Sequence, residues 1–186
     1  MKTSILISLL LFIIQENPQV ENANSKELFF KKQASYLLQE GGIWEAVNPT
    51  YQKDKQYDAR VFRYEVEKGV HGENIQLKIV SDLNDIGWYT SWDGYYLWQP
   101  QREEIIYHSL AANGAIANGI VTTPDSTTRI NIFTITAYDG TESTHKDVTR
   151  KVNENEMKSE SYQQGENGEW SFNQELIWKR VSSDKP

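Results

Sequence analysis

Residues 59–67 read ARVFRYEVE. Phe62, Tyr64 and Val66 recur at every second position, with Arg63, Glu65 and Glu67 alternating against them. Successive side chains of a β-strand point to opposite faces, so this spacing predicts a strand with one apolar and one wet side. The pattern continues outward along the chain, in NIQLKIVS (74–81), RINIFTITA (129–137) and WSFNQELIWKRV (170–181). Between β-patterned runs lie Asp93-Gly94, Asn113-Gly114, Asp139-Gly140 and Asn167-Gly168. Such pairs take positive φ readily and match tight hairpins to the strand twist. The sequence thus predicts an all-β fold, an antiparallel meander of roughly eight to ten strands. A meander that long has two bare edges unless it closes, so an up-and-down barrel is expected. A two-sheet sandwich is the alternative, but it calls for longer crossovers than these short links provide.

Ahead of the strands, KELFFKKQASYLLQE (26–40) places Phe30, Ala34, Leu37 and Leu38 at helical spacing, and Gly41-Gly42 then stops the helix. It reads as a short helix closing one end of the barrel or packed outside the sheet. Still earlier, Lys2 precedes an apolar run from Ile5 to Ile14, and Ala23-Asn24-Ser25 offers small residues at both positions of a cleavage site. Residues 1–25 are therefore expected to be a secretory signal, and 26–186 a single mature domain, secreted or periplasmic. The alternative for the apolar run is a short amphipathic anchor or a buried helix. It is too short to span a bilayer as a helix.

The chain of 186 residues contains no cysteine, which excludes disulfides and thiolate chemistry. The formal charge is −7, and it becomes −6 without residues 1–25, which carry Lys2, Glu16 and Glu21. An acidic chain without clustered Lys and Arg disfavours nucleic acid as a partner. There is no H-E-x-x-H, no G-x-S-x-G, no phosphate loop and no dinucleotide fingerprint. No cofactor or metal site is implied. Gly114 and Gly119 in NGAIANG flank a strand and read as turn and bulge positions.

One stretch connects the two ends of the meander. Gly42-x-Trp44 follows the helix and opens the first strand, while the last strand carries Phe172, Leu176, Trp178 and Arg180 on one expected face. This combination resembles the lipocalin and wider calycin superfamily. The stretch GYYLWQPQREEIIYHSLAANGAIANG (94–119) is similar in character to secreted lipocalin-like bacterial families. The resemblance implies a barrel whose floor is formed by Gly42 and Trp44, with Arg180 packed over the indole. It also implies a small apolar or amphipathic ligand in the barrel cavity.

The densest feature is GWYTSWDGYYLW (87–98). Folded about Asp93-Gly94, it would set Trp88, Trp92 and Tyr95 on neighbouring strands. They line a ligand pocket in one reading, and are core or cross-strand pairs in the other. Tyr107 and His108 are adjacent on a strand, so one of the two faces inward. Arg129 and Asn131 share a face with Phe133. Facing inward they would anchor a carboxylate or carbonyl; facing outward they would leave Ile130 and Ile132 inside. His145 and Asp147 are either a base with its orienter or part of a wet face. His71 is expected in a solvated loop. A binding protein is the leading expectation. A calycin-type isomerase or cyclase, a haem barrel using His108 or His145, and an envelope or adhesion partner are the alternatives. Oligomeric state is left open.

Overall fold

The computed structural model describes residues 18–55, 58–69 and 74–182. The apolar run at residues 5–14 and His71 lie outside these. Helix α1 spans Pro18–Leu38 and continues as a short 3₁₀ turn, Gln39–Gly41. It starts earlier than the sequence pattern indicates and runs through the expected cleavage position before Lys26. Ten strands follow: β1 Ile43–Val47, β2 Ala59–Lys68, β3 Asn74–Leu83, β4 Gly87–Gln99 and β5 Glu104–Ala111. The second half comprises β6 Ile116–Thr122, β7 Thr128–Thr136, β8 Glu142–Asn153, β9 Glu156–Gln164 and β10 Trp170–Arg180.

Each strand pairs antiparallel with its sequence neighbour, and β1 meets β10 to close the barrel. Three of the four expected hairpin signals form turns, with Gly114, Gly140 and Gly168 at φ near 80°. Asp93-Gly94 does not. It lies inside β4, and the chain reverses instead at Asn84–Gly87, where Asp85 has φ 65° and Gly87 φ 80°. Gly94 faces the barrel interior opposite Ser109, and a Cβ there would come within 2.6 Å of the Ser109 Cβ. Gly119 likewise sits within β6, not at a bulge or turn, and its added Cβ would meet Phe133 Cβ at 2.5 Å. Both glycines are in strands because neighbouring strands crowd the inner wall there.

The helix seals the end where β1 begins. Trp44 is fully buried, and its indole N–H donates to the Leu37 carbonyl at 3.1 Å. Tyr36 packs on the indole with ring centroids 5.0 Å apart. From the paired position on β10, the Arg180 guanidinium lies 4.0 Å from the Trp44 ring centroid. Its N–H groups donate to the carbonyls of Gln39 (2.6 Å), Tyr36 (3.0 Å) and Glu154 (2.8 Å). One guanidinium thereby supplies donors to the orphan carbonyls at the helix end and covers the floor indole. Gly42 takes φ 70°, and its carbonyl accepts from the Val66 N–H at 2.9 Å. A Cβ at Gly42 would collide with the Val66 carbonyl oxygen, so glycine lets β1 press against β2 at this corner.

Above the floor the apolar core is made by Val66, Ile75, Leu77, Tyr96, Ile105, Tyr107, Val121 and Met157. Val66, Ile75 and Leu77 lie on the apolar faces predicted by alternation, and Tyr107 is the member of the Tyr107–His108 pair that turns inward. One face prediction fails at the far end of β10. A bulge between Phe172 and Gln174 breaks the register, leaving Phe172 exposed while Leu176 and Trp178 stay buried.

Candidate functional site: the upper barrel lumen

The half of the barrel away from α1 is not filled. A cavity of about 310 Å³ opens there, walled on one side by Phe62, Tyr64, Trp92 and Trp178. Its other side carries Asp147, Thr149, Ser159 and Ser161 from β8 and β9, with Gln174 from β10. The composition of those strands explains the division. THKDVTRK (144–151) and KSESYQQ (158–164) are polar on both faces, so whichever face turns inward makes a hydrophilic wall.

The register places this polar set together. Asn131 pairs with Asp147, Asp147 with Ser161, and Thr149 with Ser159. Arg129 and Asn131 turn inward, only 6% and 4% exposed, whereas Ile132 is 46% exposed on the outside. The inward reading of RINIF is therefore the one the fold adopts. Arg129 sits beneath the cavity, its guanidinium 5.0 Å from the Tyr96 ring centroid, with one N–H to Thr149 Oγ1 at 3.4 Å. Among the described residues no carboxylate lies within 4.0 Å of it. The Asn131 Oδ1 atom is buried without a hydrogen-bond partner.

Electrostatics follow from enclosure. Burial pushes the Asp147 carboxyl above its ordinary pKa, while the Ser161 hydroxyl and the Arg129 charge hold it down in part. Burial also raises the Tyr64, Tyr96 and Tyr107 hydroxyls, so these stay protonated. His145 faces the lumen two residues from Asp147, with its pKa lowered by burial. Its Nε2 is 2.9 Å from the Ser143 hydroxyl, and its ring stacks on Phe133 at 5.6 Å. At neutral pH the lumen thus holds one buried cation and one carboxyl, surrounded by hydroxyls and aromatic rings.

The chain matches no protein-family model, no curated protein and no solved structure. The closed ten-stranded antiparallel meander is compatible with a calycin-like fold.

Of the residues the sequence singles out for ligand binding, Trp92, Tyr107 and Arg129 point into the barrel. Trp88, Tyr95 and His108 do not. Trp88 is exposed outside under the Arg63 guanidinium, at 4.1 Å. Tyr95 pairs with His108 on the outer face, where His108 Nδ1 is 2.6 Å from Asn118 Oδ1. His108 turns out because its neighbour Tyr107 takes the inward position, and two features of β4 displace Trp88 and Tyr95. The chain does not turn at Asp93-Gly94, and a register shift between Thr90 and Trp92 reverses the faces along β4. A haem ligand at His108 would lie outside the barrel. The sequence places Tyr64 and Trp178 on apolar strand faces and sets Asp147 beside His145, without assigning any of them to a ligand; Ser159, Ser161 and Gln174 it does not single out at all. For Asp147, Ser159 and Ser161 the signal was the two-faced polarity of β8 and β9, which in a closed barrel requires a polar inner wall.

Among the described residues there is no group of three or more His, Asp or Glu side chains placed to hold a metal ion. None of the described helices is long and apolar enough to cross a membrane. Two further clefts, of about 380 and 350 Å³, flank α1 at the closed end. They carry lysine and glutamate around Trp98 rather than a convergent buried polar set.

Proposed function

We propose that this protein is a lipocalin-like binding protein that holds one small amphipathic molecule in the upper lumen. The apolar body of the ligand packs against Phe62, Trp92 and Trp178, and a hydroxyl or amine group on it donates to Asp147. The observation that carries this reading is a buried carboxyl, held by the Ser161 hydroxyl, that lines an aromatic-walled open cavity, where a further hydrogen-bond donor would offset its desolvation. Asn131 Oδ1 supplies a second acceptor close by, through its pairing with Asp147. With Arg129 balancing Asp147, the lumen suits a head group that donates hydrogen bonds rather than one bearing a full negative charge. The N-terminal sequence pattern supports export of the mature domain, so the ligand would be met in the periplasm or outside the cell.

Titration with Nile red, a neutral apolar dye, tests the cavity. The expected result is saturable, blue-shifted fluorescence that Ser161→Phe abolishes by filling the space. Octylamine should displace the dye from the parent, and about ten-fold less well from Asp147→Asn, the loss of one charge-assisted hydrogen bond. Dye binding that ignores Ser161→Phe would reject the lumen as the site.

A further inference from the structure

β1 and β10 are joined at two register positions only, Trp44 with Arg180 and Glu45 with Lys179. Beyond them the strands part. Val47 still pairs with Val61 of β2, but among the described residues its other side has no strand partner. Asn48 then turns the chain away from β10. Its side-chain amide donates to the Ala59 carbonyl at 2.8 Å, and its Oδ1 accepts from the Thr50 N–H at 3.0 Å. Pro49 follows and has no N–H to continue a ladder. β10 meanwhile extends back to Trp170, paired along its other side with β9.

The hydrogen-bond phase shows which backbone groups this leaves open. The Val181 N–H donates to Ile43 on the β1 side, and the Arg180 N–H to Asn155 on the β9 side. Alternate residues of a strand address opposite neighbours, so Ile177 and Glu175 aim their N–H and C=O groups at the place β1 has vacated. A groove of about 690 Å³ lies along that edge, lined by Val47, Pro49, Phe172 and Ile177 among others. Val47 is 72% and Phe172 59% exposed. Proteins usually blunt a free edge with lysine, proline or an inward charge. Residues 170–177, WSFNQELI, contain no lysine or proline, and the Glu175 carboxylate is drawn aside to Lys158 at 2.8 Å.

We propose that the β1–β10 seam is a strand-addition site, which takes an extended peptide segment bearing apolar side chains at alternate positions. Its backbone pairs with Glu175 and Ile177, which only an extended chain with free amides matches. Its apolar side chains, all on one face, cover Val47, Phe172 and Ile177. The site is separate from the lumen ligand and does not depend on it.

The probe is the peptide acetyl-Lys-Val-Thr-Val-Thr-Val-Lys-amide, titrated into the isotope-labelled full chain at low protein concentration. The amide signals of Glu175 and Ile177 should shift, and their hydrogen exchange should slow by about ten-fold or more at saturation. The same peptide with N-methylated valines should produce neither effect. Val47→Asp, at an exposed position, and Ile177→Pro, which removes one edge N–H, should each abolish binding while Nile red uptake stays as in the parent. If Ile177→Pro does not fold, Val47→Asp carries the test alone. Protection of the two amides without peptide would overturn the proposal: if independent of protein concentration, the edge is already covered; if rising with it, a second copy occupies the seam. Shifts confined to Asp147 and Ser161 would overturn it too, by placing the peptide in the lumen.

Discussion

Tyr64 and Trp178 stack with ring centroids 4.3 Å apart, although their strands are not neighbours in the sheet. β1 lies between them, so the pair reaches across the inside of the closure and doubles it with side chains. The Trp178 indole N–H is also fixed, donating to the Ser159 hydroxyl at 2.8 Å. Trp178→Ala should cost about 3–5 kcal/mol, the range for deleting a buried aromatic. Trp178→Phe keeps a stacked ring and loses the hydrogen bond, so it should cost less, with about 1 kcal/mol from that bond. Urea unfolding of the three proteins measures both; equal losses would show that the ring contact contributes nothing.

Asp147 gives the fold a distinctive pH response. Its folded pKa is raised, so the folded state holds the proton more tightly than the unfolded chain. Its contribution is then most favourable at low pH and is lost as pH rises from its ordinary value of 3.8 through the raised value. Asp147→Asn should be more stable than the parent above that window and converge with it below. His145 acts in the opposite sense, since its lowered pKa removes stability as pH falls below 6.5. The variant-minus-parent difference in denaturation midpoint, followed from acid to neutral pH, isolates the carboxyl; a flat difference would contradict its burial.

Four tyrosines should resist alkaline ionisation for as long as the fold lasts. Burial raises Tyr64, Tyr96 and Tyr107, and raises Tyr36 to about 12. Groups with raised folded pKa values stabilise the protein below their unfolded pKa, and that stability is lost as pH climbs beyond it. These four should ionise only above the ordinary tyrosine value of 10.0, in one step with the loss of circular dichroism, as followed by ultraviolet absorbance. Ionisation of all tyrosines before unfolding would speak against the packed lower lumen.

Gly94→Ala and Gly119→Ala test the crowding of the wall. Each adds a methyl where Ser109 or Phe133 already stands, at 2.6 and 2.5 Å from their Cβ atoms. Overpacking of this kind costs about 1–3 kcal/mol. The same change at Gly140, where an added Cβ meets nothing within 4 Å, carries only the strain of φ 83°. Thermal unfolding should place both strand variants below the parent; unchanged midpoints would mean that the strands can move apart freely.

The architecture was legible because period-two patterning and Asn-Gly turns are local signals, and a closed meander follows from summing them. Asp93-Gly94 was misleading because its glycine answers a clearance between strands, which no local pattern reveals. The register shift beside Ser91 was equally silent, and it alone decides that Trp92 turns in while Trp88 turns out. Arg129 and Asn131 contradict the usual sorting of polar residues to the outside. Their inward placement is fixed by the strands around them, not by RINIF itself. The site was hardest to read because its carboxyl and hydroxyls sit on strands with no apolar face to give direction.

Every strand pairing but one joins strands consecutive in the chain. The exception brings Trp44 to Arg180, so its formation must close a loop containing almost the whole barrel. Loop closure of that length is slow relative to hairpin formation. Folding should therefore pass through a curled, open sheet whose first and last strands meet last, and unfolding should begin by parting them. The floor of the lumen is then also the kinetic latch of the molecule, and whatever tightens Arg180 against Trp44 should lengthen the lifetime of the native state more than it speeds its arrival.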